Sequence, residues 1–337
     1  MSRTHTAVLI TGDGIGPEVI GAARRVIEAT GVKMNWIECP AGLEHFEKHG
    51  EVLPDATLEA LKTHKVALKG PTATPIGTGH RSVNVQIRQK LNLYAAVRPV
   101  RSLDGIATRY KDVELVIVRE NTEGLYSGIE HEVVRGVVES LKIVTEEAST
   151  RIAEFAFKYA ESRGRKRVTV FHKANIMKMA DGLFLKCARQ VHERHPRIEY
   201  NELIIDNGCM QMVRDPSRFD VLLLDNLYGD ILSDLCAGLV GGLGVVPGAN
   251  FSEEIAVFES VHGSAPDIAG KGVANPLAAI MSGVMLLNHL GETEAGARIK
   301  QAYNAVLASN DAAVRTRDIG GQADTAAFTD AIIARMK

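Results

Sequence analysis

Two carboxylates, Asp230 and Asp234, stand four residues apart in Asn226-Leu-Tyr-Gly-Asp-Ile-Leu-Ser-Asp234, directly after the apolar run Val221-Leu-Leu-Leu224. That spacing places both on one face of a helix starting where a buried strand ends. Like charges so arranged repel, and a hard divalent cation held by oxygen ligands would relieve the repulsion. The plainer alternative is a pair of acids facing the helix macrodipole, with Asp230 near the cap. A second constellation is cationic. Ser82, Asn84 and Arg88 fall at spacings of two and four, Arg98 comes next, and Arg119 closes the strand-like Glu114-Leu-Val-Ile-Val118. Guanidinium forks hold carboxylates through paired hydrogen bonds, so three arginines beside a hydroxyl and an amide could grip a polycarboxylate. Each arginine alone would be an ordinary surface residue; their joint placement at strand ends and helix starts favours a site. Tyr126 and Lys173, both in polar surroundings, are candidate proton-transfer groups if a neighbouring charge moves their pKa values.

The elements that must carry these groups alternate along the chain. Strand-like Ala7–Ile10, Met34–Ile37, Val66–Leu68, Val168–Phe171, Leu203–Ile205 and Val221–Leu224 are separated by helical patterns such as Pro17–Thr30 and Glu146–Glu161. Such alternation predicts βαβ units and a largely parallel sheet. The stretch 124–145 differs: its valine pairs, separated by Gly and charged turns, read as an antiparallel, strand-rich arm reaching toward a partner. The glycine-rich Gly238–Gly244 suits a crossing between domains.

The 337 residues, 45% hydrophobic and 24% charged with a formal net charge of −2, describe an ordinary globular protein of about two domains. Near-neutral charge provides no general field for nucleic acid or anionic lipid. The basic run Arg163-Gly-Arg-Lys-Arg167 reads as a solvated turn between helix and strand. Cys39, Cys187, Cys209 and Cys236 lack any C-x-x-C spacing, so neither a zinc ribbon nor a disulfide framework is expected. No apolar stretch approaches the roughly 18 residues needed to span a bilayer, and no secretory signal is read at the N-terminus. The expected location is the cytoplasm, or the mitochondrial matrix in a eukaryote.

Three motifs are decoys. Gly12-Asp-Gly-Ile-Gly-Pro-Glu18 imitates a dinucleotide fingerprint, but Pro17 stands where the third glycine belongs, so an ordinary Rossmann site is not expected. His45 and His49 lack the glutamate of a zinc-protease helix and read as a polar face. His192 and His195 end a helix before Pro196, where cations suit the dipole.

With these residues in view, the chain resembles the β-decarboxylating dehydrogenases, which act on isocitrate, homoisocitrate, 3-isopropylmalate or tartrate. The likeness runs from Gly12–Glu18 to Asp318-Ile-Gly-Gly321, and Asn226–Asp234 with its glycine tail is its most specific stretch. The resemblance implies an α/β, isopropylmalate dehydrogenase-like two-domain fold with a mixed, largely parallel sheet and a strand-rich dimer arm. Residues 1–93 and 241–337 would form a large cofactor-binding domain and 94–240 a small dimerisation domain. It further implies that Asp206, Asp230 and Asp234 hold Mg²⁺ or Mn²⁺, with Asp206 and Lys173 supplied by the second subunit of a homo-oligomer. Ser82, Asn84, Arg88, Arg98 and Arg119 would bind a tricarboxylate, Tyr126 and Lys173 would move protons, and Lys69 and Thr74 would line the cleft. Val261-His262-Gly263-Ser264-Ala265-Pro-Asp267-Ile268, with Asn275, resembles the adenosine-binding loop. NADP-using relatives carry Lys and Tyr where Asp267 and Ile268 stand, so NAD is the expected cofactor; a carboxylate there accepts from a ribose hydroxyl and repels a 2′-phosphate. Ser82-Val-Asn84 is similar to the isocitrate enzymes. The expected activity is oxidative decarboxylation of isocitrate to 2-oxoglutarate. A sister substrate, a non-catalytic regulatory subunit of a heteromeric enzyme and a generic phosphate-binding module are the alternatives.

Overall fold

The computed structural model describes residues 4–75, 79 and 81–337. Its strands are β1 (Thr4–Ile10), β2 (Lys33–Glu38), β3 (Val66–Lys69), β4 (Ala95–Arg101), β5 (Glu114–Glu120), β6 (Glu130–Val134), β7 (Val137–Ser140), β8 (Arg167–His172), β9 (Glu199–Ile204), β10 (Val221–Leu224), β11 (Pro247–Phe251) and β12 (Ala256–Ser260). The helices are α1 (Gly16–Ala29), α2 (Leu43–His49), α3 (Asp55–His64), α4 (Val83–Lys90), α5 (Glu146–Ser162), α6 (Ala180–His192), α7 (Ile205–Arg214), α8 (Asn226–Val240), α9 (Leu277–His289), α10 (Thr293–Ala308) and α11 (Thr325–Arg335).

One ten-stranded sheet runs in the order β2-β1-β3-β12-β11-β4-β5-β10-β8-β9. Its two flanks are parallel, and they are fused by the antiparallel series β12-β11-β4-β5. Parallel strands are covered on both faces, which is why β3 and β10 are buried along their whole length and read as continuous apolar runs. Helix α1 starts on Pro17, whose missing N–H costs nothing at the first turn, and buries Val19, Ile20, Ala23, Val26 and Ile27 on one stripe. Full burial of a Val or Ile side chain contributes about 1.5–3 kcal/mol. Helix α5 covers the other flank through Ile152, Ala156 and Phe157.

Successive residues on the central strands point to opposite faces. Arg98, Asn250 and Glu259 share one face with α4 and α8, while Val97, Phe251 and Phe258 share the other with α5 and α9. Gly241 and Gly242 return the chain from α8 to the centre with φ of 119° and 105°, a conformation open to glycine and strained for other residues. Strands β6 and β7 form the expected antiparallel arm, a two-stranded ribbon whose valines are exposed. Two details differ from the sequence reading. Ile205 opens α7 instead of extending β9, and His195 is buried against Phe157, ring centroids 5.5 Å apart, instead of serving a helix end. Among the described residues no helix is long and apolar enough to cross a membrane.

Candidate active site

Helix α8 begins immediately after β10 because Asp225 caps it, its carboxylate accepting the Tyr228 N–H at 2.8 Å. Asp230 therefore lies a full turn inside the helix, not at its cap. Asp230 and Asp234 face a cleft of about 350 Å³ whose other walls include Thr74, Ser82, Asn84, Arg88, Arg98 and Arg119. Tyr126, His262 and Gly263 line it as well. Ser82 caps α4, so Asn84 projects from the first turn and Arg88 from the last turn of a short helix whose start is fixed.

The acids and arginines are interlocked. Arg119 is fully buried; its Nε and Nη2 donate to Asn226 Oδ1 at 3.2 and 2.7 Å, and its Nη1 donates to Asp230. The guanidinium lies 5.0 Å over the Tyr126 ring, and the Tyr126 hydroxyl donates to the second Asp230 oxygen at 2.5 Å. Arg98 donates to Ser233 and stands 3.7 Å from Asp230 and 3.8 Å from Asp234. Burial alone would raise Asp230, but Arg119, the Tyr126 hydroxyl and Arg98 hold its carboxyl below the usual range. Asp234 goes the other way: burial raises it, and Arg98 offsets only part of the effect. Burial together with the neighbouring Arg119 and Arg88 pushes Arg98 down to about 10. Among the described residues the Arg88 Nε has no hydrogen-bond partner, nor have Ser260 Oγ and His262 Nε2, all three buried at this cleft. Crowded cations and unsatisfied polar groups are the electrostatic signature of a site that receives polar, anionic ligand atoms.

Behind Arg88 lies a group that sequence reading did not find. Glu259, buried on β12, accepts from Lys69 Nζ and Asn250 Nδ2 at 2.8 Å each and from Arg88 Nη2 at 3.1 Å. Lys69 is consumed in this ion pair and does not line the cleft. Lys69 and Arg88 outweigh the effect of burial and keep Glu259 well below the usual carboxylate range. The available signal was a glutamate inside the otherwise apolar Ala256-Val-Phe-Glu-Ser260.

The loop after β12 is braced by the glycine turn before α1. Ile15 N–H donates to Ser264 O at 2.9 Å, and a Cβ on Gly14 would meet that same oxygen at 2.0 Å. Asp13, also in that turn, accepts from the N–H groups of Leu43, Glu44 and Ala73. The fingerprint look-alike thus seats neighbouring loops. Ser264, Ala265, Asp267, Ile268 and Asn275 lie beyond the cleft wall; Asn275 donates to Asp318 at 2.8 Å.

Lys173 and Asp206 are elsewhere. They pair with each other at 2.6 Å, and neither lines the cleft of their own chain. Among the described residues of one chain, no three His, Cys, Asp or Glu side chains gather to hold a metal ion, so Asp206 does not join Asp230 and Asp234 within the chain. Asp181 holds the Lys173 N–H at 2.5 Å, and Lys142 bridges Asp181 and Asp225 at 2.5 and 2.6 Å. That buried bridge ties the Lys173 loop to the start of α8.

The sequence model of the isocitrate/isopropylmalate dehydrogenases matches residues 6–332. The chain belongs to this family. It is 55% identical over 97% of its length, and 87% of the relative's, to NAD isocitrate dehydrogenase catalytic subunit 5, mitochondrial, of Arabidopsis thaliana. It is also 55% identical over 91% of its length, and 86% of the relative's, to the chloroplastic 3-isopropylmalate dehydrogenase of Solanum tuberosum. The crystal structure of isocitrate dehydrogenase from Methylococcus capsulatus superposes with a TM-score of 0.95 at 50% identity, covering 98% of this chain and 99% of that one.

Within this dehydrogenase fold, Gly229 is required by Arg119. A Cβ at Gly229 would lie 2.5 Å from Arg119 Cγ and 2.7 Å from its Cβ. Gly229→Ala is expected to displace the guanidinium and raise KM for the carboxylate substrate by about tenfold or more, the loss of one charge-assisted hydrogen bond. Steady-state kinetics checks this, and an unchanged KM would show that Arg119 is not gripping substrate.

Proposed function

We propose that the protein catalyses the NAD-dependent oxidative decarboxylation of isocitrate to 2-oxoglutarate and CO₂. The observation that carries this reading is the cleft itself, in which Arg88, Arg98 and Arg119 converge opposite Asp230 and Asp234 with Tyr126 between them. Three guanidinium groups suit three carboxylates. The polar Ser82 and Asn84 favour the extra carboxylate of isocitrate over an isopropyl group, which would leave both unpaired. The 3-isopropylmalate relative keeps that substrate as the second reading.

Asp230 and Asp234 offer hard oxygen donors on one helical face, which fits Mg²⁺ or Mn²⁺, and Asp206 from a second subunit would complete the set. When bound, the cation supplies Lewis acidity and NAD accepts the hydride. Lys173 together with Asp206 would help remove the substrate's hydroxyl proton, Lys173 Nζ accepting it only after passing one of its own ammonium protons to the carboxylate or to solvent. Burial, and then the bond to Asp230, raise the Tyr126 phenol, so it remains protonated through the neutral range and can donate to the carbon that loses CO₂. His262, Gly263, Ser264 and Ala265 would carry the adenosine, with Thr74 facing it across the cleft and Asp267, Ile268 and Asn275 around the ribose. The same reading divides the chain at the sheet's centre, with 1–93 and 241–337 binding cofactor and 94–240 forming the dimer. The exposed Ile176, Met179 and Ile231, together with the arm valines, support a homo-oligomer. We place the enzyme in the cytoplasm, or in the mitochondrial matrix of a eukaryote.

The test is absorbance at the NADH band with isocitrate, homoisocitrate, tartrate and 3-isopropylmalate, NAD or NADP, with and without EDTA. The highest kcat/KM is expected for isocitrate with NAD, falling to background in EDTA and returning with Mg²⁺ or Mn²⁺. Faster turnover of 3-isopropylmalate, or activity indifferent to EDTA, would sink the assignment. A purified homo-oligomer without activity would instead favour a regulatory subunit.

The shared site makes a separate prediction. Lys173→Ala and Tyr126→Phe homo-oligomers should each be inactive, whereas mixed subunits, dissociated and reassembled, should regain activity because one of the two sites then holds both intact residues. No recovery in verified mixed dimers would place Lys173 and Tyr126 in the same subunit's site.

A further inference from the structure

Alternation along β4, β11 and β12 sends Val97, Phe251 and Phe258 away from the arginine cleft, and on that opposite face a second cleft of about 570 Å³ opens between α5 and α9. It shares no lining residue with the first and falls within the size range of small-molecule sites. A cluster of aromatic rings forms part of its wall. Phe155 and Phe251 have ring centroids 5.7 Å apart, Phe258 meets Phe251 edge-on at 5.9 Å, and His289 lies 5.6 Å from Phe258. Tyr159 stacks on Phe155 at 6.3 Å.

The rim is not charge-balanced. Arg165 is answered by Asp220 at 3.1 Å and Glu114 at 3.2 Å. Arg163, at the end of α5, lies 5.8 Å over the Tyr159 ring and has no acidic partner among the described residues. The Tyr159 hydroxyl, the Asn288 amide and the His289 imidazole make no hydrogen bond to any described residue. Burial pushes Tyr159 up and His289 down, so both are neutral near pH 7 and the phenol is a donor. A cleft that presents the Phe155 and Phe251 rings among polar groups, with convergent donors and an unanswered guanidinium at its mouth, matches a ligand that is flat and carries negative charge at one end.

We propose that this second cleft is a binding site for a small planar aromatic anion, its ring against the partly exposed Phe155 and Phe251 and its anionic group on the Arg163 guanidinium and Tyr159 hydroxyl. The site is independent of the reaction assigned to the first cleft. The probe is 2-naphthoate, titrated into the whole protein by fluorescence with saturating NAD and citrate present to occupy the arginine cleft. One molecule per chain is expected to bind. Arg163→Gln should weaken binding about tenfold or more, and Tyr159→Phe by a smaller factor, the losses of a charge-assisted and a neutral donor respectively. Arg163 is exposed, so its variant should fold, which circular dichroism verifies. Absence of binding, displacement of the probe by NAD and citrate, or equal affinity in wild type and both variants would overturn the proposal.

Discussion

Tyr126→Phe should lower kcat by about 10²–10⁴-fold, the usual contribution of a positioned acid or base, while KM for isocitrate changes little. The ring can keep its place over Arg119 at 5.0 Å, and Asp230 retains its bond from the Arg119 guanidinium, so the architecture survives loss of one hydroxyl. What disappears is the proton of the phenol, whose oxygen lies 2.5 Å from Asp230 Oδ2. Steady-state kinetics with isocitrate decides the matter: wild-type kcat in the variant would remove Tyr126 from the chemistry, and a rise in KM alone would make it a binding residue.

Glu259→Gln is expected to cost about 3–5 kcal/mol of stability at pH 7, because Lys69 and Arg88 would stay buried without their counter-charge. Urea unfolding of both proteins measures it. The pH dependence has a definite sign. The folded carboxyl titrates below its ordinary value, so its contribution is complete above the unfolded pKa of about 4.3 and is lost as pH falls toward the folded one. Wild type and variant should therefore converge in acid and differ most at neutral pH. Equal stability at pH 7 would mean that the buried ion cluster merely breaks even. KM should rise as well, since Arg88 loses the group that aims it into the cleft.

Local pattern carried most of the scaffold. Long apolar runs bounded by turn residues announced β5, β8 and β10, and the stripe from Val19 to Ile27 announced α1. The edge strand β9 was read short because Glu199, Asn201 and Glu202 are polar; a strand paired only to β8 needs little apolar sequence. Asp230 and Asp234 were legible because a four-residue spacing puts both on one face of α8, and Arg88 and Arg119 because they stand near the ends of α4 and β5, so spacing along the chain becomes proximity in space. The Lys69–Glu259 pair was not, since it depends on β3 lying beside β12 in register, a contact across 190 residues that no local period encodes. His195 was misjudged for a related reason: its ring is held by Phe157, which comes from another helix. The reading of Asp206 as a partner-supplied ligand came only from family likeness, since no local pattern ties it to Asp230 and Asp234.

The ribbon of β6 and β7 leaves Val133, Val134, Val137 and Val138 between 48% and 68% exposed. A two-stranded hairpin is marginal by itself in water, and one carrying bare valines is also adhesive. Under the proposed homo-oligomer, newly made polypeptide would therefore be vulnerable until a second copy meets it. On that proposal the yield of folded protein would depend on how fast nascent molecules encounter each other relative to stray aggregation, so expression level and temperature during synthesis would bear on recovery as strongly as the robustness of the finished product.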